Sequence, residues 1–123
     1  MLERQRDRLH TLIWAVRARR TARRQLRTGG LAAVRLPPSP KTAAVWPWPR
    51  TLTLALRVLR ASCLERSLVR QAWLADRGRP SDVIIGARAP REGFAAHAWL
   101  DFEGESEADG YVEVARYTAP GRA

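Results

Sequence analysis

The sequence predicts a single α+β domain in which helices come first and an antiparallel sheet follows. Two observations carry this prediction. The first two thirds of the chain contain segments with the periodicity of helices, and the last third contains three short segments typical of strands. The order of helices followed by strands is typical of an antiparallel sheet packed on helices. The length of 123 residues fits one small domain.

The first helix is predicted over residues 2–26. Four apolar residues recur at the spacing of one helical face, and arginines occupy the other faces; the four are Leu9, Leu12, Ile13 and Val16. A glycine pair at Gly29 and Gly30 ends the helix. We therefore expect this apolar face to pack, either on the core or on a partner protein.

A proline-rich segment separates this helix from the rest of the chain. Five prolines between residues 37 and 49 exclude a regular helix and favour extended chain. The predicted division is an N-terminal helical extension with a Pro/Trp-rich linker over residues 1–50 and a core over residues 51–123. Trp46 and Trp48 either anchor the linker on the core or border a substrate groove.

Two further helices and three strands complete the predicted elements. Residues 51–60 favour a helix because three leucines share one face, and residues 63–76 form the next helix. The strands are predicted at residues 82–87, 94–102 and 111–117, from a β-branched run and two alternating segments.

The charge distribution limits the classes of partner. The net charge is +10, but the excess lies mostly in residues 1–30, whereas residues 92–113 are acidic. A nucleic-acid module would more often be basic across its whole binding face, so we interpret the arginines as solvated and expect no nucleic-acid partner. No apolar run approaches the roughly 18 residues of a membrane span.

Cys63 is the one cysteine, which excludes an internal disulfide and the usual thiolate zinc sites. Ser62 and Glu65 have the spacing of a capping box, so Cys63 is predicted to be the first residue of a helix. Helix N-termini favour thiolates, and their unpaired N–H groups can stabilise an oxyanion. Cys63 is therefore a candidate nucleophile; the alternative is a buried structural cysteine.

His97 is the candidate general base. It lies within a predicted strand among small residues, and its alternative role is that of a core histidine. A third group must orient the imidazole. Asp101 lies about 13 Å along the same strand, too far for contact, whereas Asp109 follows a turn and a hairpin can bring it beside His97. The other histidine, His10, lies in the arginine-rich helix and is predicted to be a surface or packing residue.

These segments together resemble the transglutaminase-like cysteine peptidases of lasso-peptide biosynthesis, which are the leader peptidases of that pathway. The resemblance covers about residues 52–117. It is carried by Cys63-Leu64-Glu65-Arg66-Ser67-Leu68, Ile85-Gly86, Phe94-Ala95-Ala96-His97-Ala98-Trp99-Leu100, Gly104 and Asp109. The family often has glutamate two residues after the tryptophan, where this chain has Asp101.

The resemblance implies a papain/transglutaminase-type core with the cysteine at a helix N-terminus and the histidine and aspartate on strands. It implies a Cys63-His97-Asp109 triad, a ribosomal precursor peptide as substrate, a PqqD-like leader-recognition protein and an ATP-dependent lasso cyclase as partners. In that reading residues 1–50 cover the core or dock the recognition protein. No cofactor and no metal are implied, and a reduced thiol agrees with a cytoplasmic location.

Three functions remain open on the sequence. The first is a leader peptidase that cleaves the precursor with the cysteine triad. The second is acyl transfer or transglutamination on the same fold. The same triad serves both reactions, because an acyl-enzyme that reacts with water gives a cleaved peptide and one that reacts with an amine gives a crosslink. The third is a non-catalytic module that binds a partner through the basic first helix.

Overall fold

Three α-helices precede three strands along the chain, which confirms the α+β class predicted from the sequence. The computed structural model describes residues 2–42, 45–88, 95–104 and 110–120. The helices are α1 (Leu2–Gly29), α2 (Arg50–Val58) and α3 (Cys63–Ala75), and the strands are β1 (Val83–Arg88), β2 (Ala95–Leu100) and β3 (Val112–Tyr117). Each lies within a few residues of its predicted position.

The three strands form one antiparallel sheet in the order β2-β1-β3. The prediction of a hairpin between the second and third strands is therefore wrong, because β1 lies between β2 and β3. Gly86 in β1 pairs with His97 on one side and with Glu113 on the other. The connection from β2 to β3 thus passes from one edge of the described sheet to the other.

The two faces of the sheet have different surroundings. Val83, Ala98 and Leu100 are buried in the main core, and α3 packs against both β1 and β2. Strand alternation places His97 and Trp99 on the opposite face of β2. The candidate general base therefore lies on the face turned away from the main core.

One apolar core joins all three helices to the sheet. Trp14 of α1 contacts Trp73 of α3 with ring centroids 5.6 Å apart, and Leu52 and Leu56 of α2 are fully buried beside them. The buried side chain of Gln71 donates hydrogen bonds to the carbonyl oxygens of Ser81 (2.9 Å) and Tyr117 (3.0 Å). This amide holds α3 to the start of β1 and the end of β3, which lie at the same end of the sheet, without leaving its own donors unpaired.

The face of α1 that packs on the core is not the face that the periodicity identified, so of the two expectations for that face, packing on the core is wrong and packing on a partner protein stays a prediction. The helix buries Trp14, Ala15, Ala18 and Ala22, whereas Leu9, Leu12 and Ile13 are exposed. Three alanines allow the backbone of α1 to approach the other helices closely, and Trp14 is the largest side chain on this face. The leucine-rich face points into solvent.

Hydrogen bonds hold the proline-rich segment against α1 and against the residues that follow α3. The indole N–H of Trp14 donates to the carbonyl oxygen of Pro37 at 3.0 Å. The backbone N–H of Ser39 donates to the Asp76 carboxylate at 2.8 Å, and the Arg77 guanidinium donates to the carbonyl oxygen of Pro40 at 2.6 Å. Among the described residues, no helix has the length and apolar character that a membrane crossing requires.

Candidate active site

Cys63 is the first residue of α3, as the capping-box pattern predicted. The Ser62 hydroxyl accepts a hydrogen bond from the backbone N–H of Glu65 at 3.1 Å, and the Glu65 carboxylate accepts one from the backbone N–H of Ser62 at 2.9 Å. The thiol is free and half-buried. The reciprocal cap fixes where the helix begins and so fixes the position of the thiol.

This position suits a nucleophile that attacks a carbonyl group. The first N–H groups of a helix have no acceptor within it, and the helix dipole adds partial positive charge at that end. The capping box uses the N–H groups of Ser62 and Glu65, so those of Cys63 and Leu64 are the donors nearest the thiol. An oxygen that develops negative charge beside the sulfur would accept hydrogen bonds there.

Glu65 links the start of α3 to α1. Its side chain is buried, and its carboxylate lies 3.6 Å from the guanidinium Nε of Arg19. A buried carboxylate needs a counter-ion and hydrogen bonds to offset the loss of hydration. Arg19 supplies the charge and Ser62 supplies a hydrogen bond, so α1 holds the turn that carries the thiol.

His97 lies in the middle of β2, half-buried between aromatic rings. Its ring stacks on Trp99 with centroids 5.6 Å apart and lies 5.3 Å from the ring of Tyr111. These rings cross the central strand over Gly86, where a side chain is absent. They limit the directions in which the imidazole can turn.

Gly86 is required by this aromatic cluster. A Cβ atom built at Gly86 would lie 2.7 Å from Cη2 of Trp99 and 3.0 Å from Cβ of Tyr111. Gly86→Ala is expected to lower the free energy of unfolding by about 1–3 kcal/mol because the rings must move. Urea denaturation followed by circular dichroism measures this loss. Ala96→Ser, on an exposed position of β2, is the matched control; an equal loss in both variants would contradict the explanation.

Asp109, the predicted third member, lies outside the described residues. Tyr111, two residues later, contacts the His97 ring, so the chain that leads into β3 reaches His97 across Gly86 and not through a hairpin. Asp101 has other partners: its carboxylate accepts a hydrogen bond from Ser81 and lies 3.8 Å from Arg116. His10 is exposed on α1, as predicted.

The nucleophile and the base lie on neighbouring elements. α3 packs against β2, which carries His97. Among the described residues, no hydrogen bond joins the Cys63 thiol to the His97 imidazole. Cys63 packs against the main apolar core, whereas His97 lies on the opposite face of β2, so the structure does not bring these two predicted site residues together.

An exposed aromatic surface, not anticipated in full from the sequence, lies between the linker and the end of β2. Phe102 contacts Trp46 and Trp48, with ring centroids 5.7 and 5.9 Å away. Arg79 lies over the Trp46 ring and Arg70 over the Trp48 ring, each 4.5 Å from the centroid. Beside Trp46 runs a groove of about 360 Å³. The sequence indicated the two tryptophans but not their cationic neighbours or Phe102.

The helices pack on an antiparallel sheet, and Cys63 begins the capped helix α3; this α+β architecture agrees with a transglutaminase-like core. The chain belongs to the transglutaminase-like superfamily, whose family model matches residues 9–120. Members of this superfamily are usually enzymes, either cysteine peptidases or transglutaminases. No curated protein and no solved structure gives a significant match to the chain.

Proposed function

We propose that this protein is a cysteine peptidase that cleaves the leader from a ribosomal precursor peptide during lasso-peptide maturation. The observation that carries the proposal is the position of Cys63, the first residue of a capped helix in a transglutaminase-like domain. The resemblance of the Cys63–Leu68 and Phe94–Leu100 segments to the lasso leader peptidases supports the choice of substrate.

In the proposed reaction the Cys63 thiolate attacks the carbonyl carbon at the junction of leader and core. The backbone N–H groups at the start of α3 stabilise the resulting oxyanion. His97, having taken the thiol proton, gives it to the departing core amine, and Asp109 orients the imidazole. Water then hydrolyses the acyl-enzyme and releases the leader with a free carboxylate.

The same proposal includes two protein partners. A PqqD-like recognition protein would bind the leader and present it, and an ATP-dependent cyclase would use the freed core amine. Both follow from the resemblance of the catalytic segments. No cofactor takes part in the proposed steps.

We place part of the substrate-binding surface at Trp46. Trp46 is 56% exposed and borders a groove that Val45, Pro47 and Leu74 also line, so it offers apolar area to a peptide. Trp46→Ala is expected to raise KM about tenfold, equivalent to about 1.4 kcal/mol of lost binding, with little change in kcat. Leu54→Ala, which truncates another exposed apolar side chain, is the control. An unchanged KM in Trp46→Ala would move the peptide-binding surface elsewhere.

Mass spectrometry of a precursor peptide incubated with this protein and the recognition protein tests the function. Cleavage at one junction, with fragment masses that sum to the precursor plus one water, supports the peptidase. A covalently joined product without free leader would instead identify an acyl transferase on the same fold. An intact precursor, together with a thiol that does not react with electrophilic probes, would favour a non-catalytic binding module.

A further inference from the structure

The outward face of α1 exposes apolar side chains without a partner in the described structure. Leu9, Leu12 and Ile13 are 55%, 44% and 48% exposed, and Val16 beside them is half-exposed. These four residues lie on the side of the helix opposite Trp14, Ala15 and Ala18, so rearrangement of the existing core cannot cover them. A contiguous exposed apolar patch of this kind is typical of an interaction site.

The residues on this outward face change from apolar to basic along the helix axis. Continuing from Val16 at helical spacing, it presents arginines, and these line a shallow groove of about 340 Å³ on the last turns of α1. The residues that line it are Arg19, Arg20, Arg23, Arg24, Arg27 and Thr28. The face therefore has an apolar first half and a basic second half.

The order of apolar and then basic residues along the helix axis indicates which class of partner this face can bind. A helix that lies in a membrane surface separates its apolar and basic residues around its circumference, with the basic residues at the edges of the apolar stripe. Here Arg20, Arg23 and Arg27 continue the centre of the apolar stripe, where a membrane would place them deepest. A nucleic acid would use the arginines but leave Leu9, Leu12 and Ile13 in water.

We propose that the outward face of α1 docks a protein partner whose binding segment presents apolar side chains followed by a cluster of carboxylates. Burial of the apolar half supplies non-directional attraction. The arginine guanidinium groups donate paired N–H hydrogen bonds to the carboxylates, which fixes the register of the segment along the helix. This inference stands on the exposed residues of α1 and does not depend on the proposed peptidase activity.

Fluorescence anisotropy with two synthetic peptides tests the proposal on the full chain. The first labelled peptide is a helix with leucines in its first turns and glutamates in its last turns; the second has the same composition with leucines and glutamates interleaved around the helix. We expect saturable binding of the first peptide, weakened by salt, and at least about tenfold weaker binding of the second.

Variants then assign the binding to the two halves of the face. The pair Leu12→Ser and Ile13→Ser, and separately the pair Arg23→Glu and Arg27→Glu, are each expected to weaken the first peptide about tenfold or more. The arginine pair should also remove the salt dependence. Controls are Val114→Ser and Arg57→Glu, exposed residues on other elements, with helix content checked by circular dichroism.

Three results would overturn the proposal. Equal affinity for both peptides would mean that the protein attracts them through charge alone, whatever the order of their leucines and glutamates. Tighter binding to anionic phosphatidylglycerol vesicles or to duplex RNA than to the first peptide would assign the face to one of those partners. Self-association of the chain that is lost in Ile13→Glu, measured by light scattering, would make a second copy the occupant.

Discussion

Cys63→Ala is expected to abolish cleavage of the precursor, with kcat reduced at least about a thousandfold. The variant removes the sulfur that forms the acyl-enzyme and leaves the backbone N–H groups of α3 in place. Alanine is well tolerated in a helix, so the fold should persist. Cys63→Ser, which keeps a similar size with a weaker nucleophile, should also be inactive. Mass spectrometry of the precursor, run beside the wild type, measures the loss.

Ser62→Ala is the matched control for this experiment. It removes the hydroxyl that caps Glu65 and is expected to cost about 1 kcal/mol of stability, but it leaves the thiol in place. A partial loss of rate in Ser62→Ala beside complete loss in Cys63→Ala would separate positioning from chemistry. Cleavage by folded Cys63→Ala would show that another group is the nucleophile.

Trp73→Ala is expected to lower the free energy of unfolding by about 3–5 kcal/mol. The Trp73 side chain is 1% exposed, and its ring contacts Trp14. The Arg77 guanidinium lies 3.5 Å from the centroid of the Trp73 ring, where burial lowers the pKa of Arg77 below its ordinary value. Truncation would leave a cavity between α1 and α3 and remove the support of a partly desolvated cation.

Urea denaturation followed by circular dichroism measures this effect. Trp46→Ala is the control because it removes the same side chain from an exposed position, and it should change stability by less than about 0.5 kcal/mol. A loss below about 1 kcal/mol in Trp73→Ala would mean that α1 and α3 repack around the cavity.

The start of the helix that carries Cys63 could be predicted because the residues that determine it are close together in the sequence. The capping box depends on Ser62 and Glu65 alone, so the sequence located the start of α3 and placed the thiol there. The strands were predicted for the same reason, since β-branched and alternating residues indicate extended chain without knowledge of its neighbours.

The predictions that were wrong concern contacts between elements that are distant from each other in the sequence. Periodicity identified Leu9, Leu12 and Ile13 as one face of α1, but a stripe of alanines with Trp14 packs more closely and is the face that was buried. Strand order could not be obtained from chain order, so the central place of β1 was missed. Gly86 lay within a predicted strand and within the Ile85-Gly86 segment of the resemblance, but neither observation indicated that aromatic rings pass over it.

The ion pair between Arg19 and Glu65 affects how the chain can be shortened. A version that began after α1 would not simply lack a peripheral helix, because it would leave the buried Glu65 carboxylate without its counter-ion in the first turn of α3. The loss of this counter-ion would make burial of the charge more costly and would loosen the cap that begins the helix at Cys63. Minimal versions intended for engineering should therefore retain the helix through Arg19.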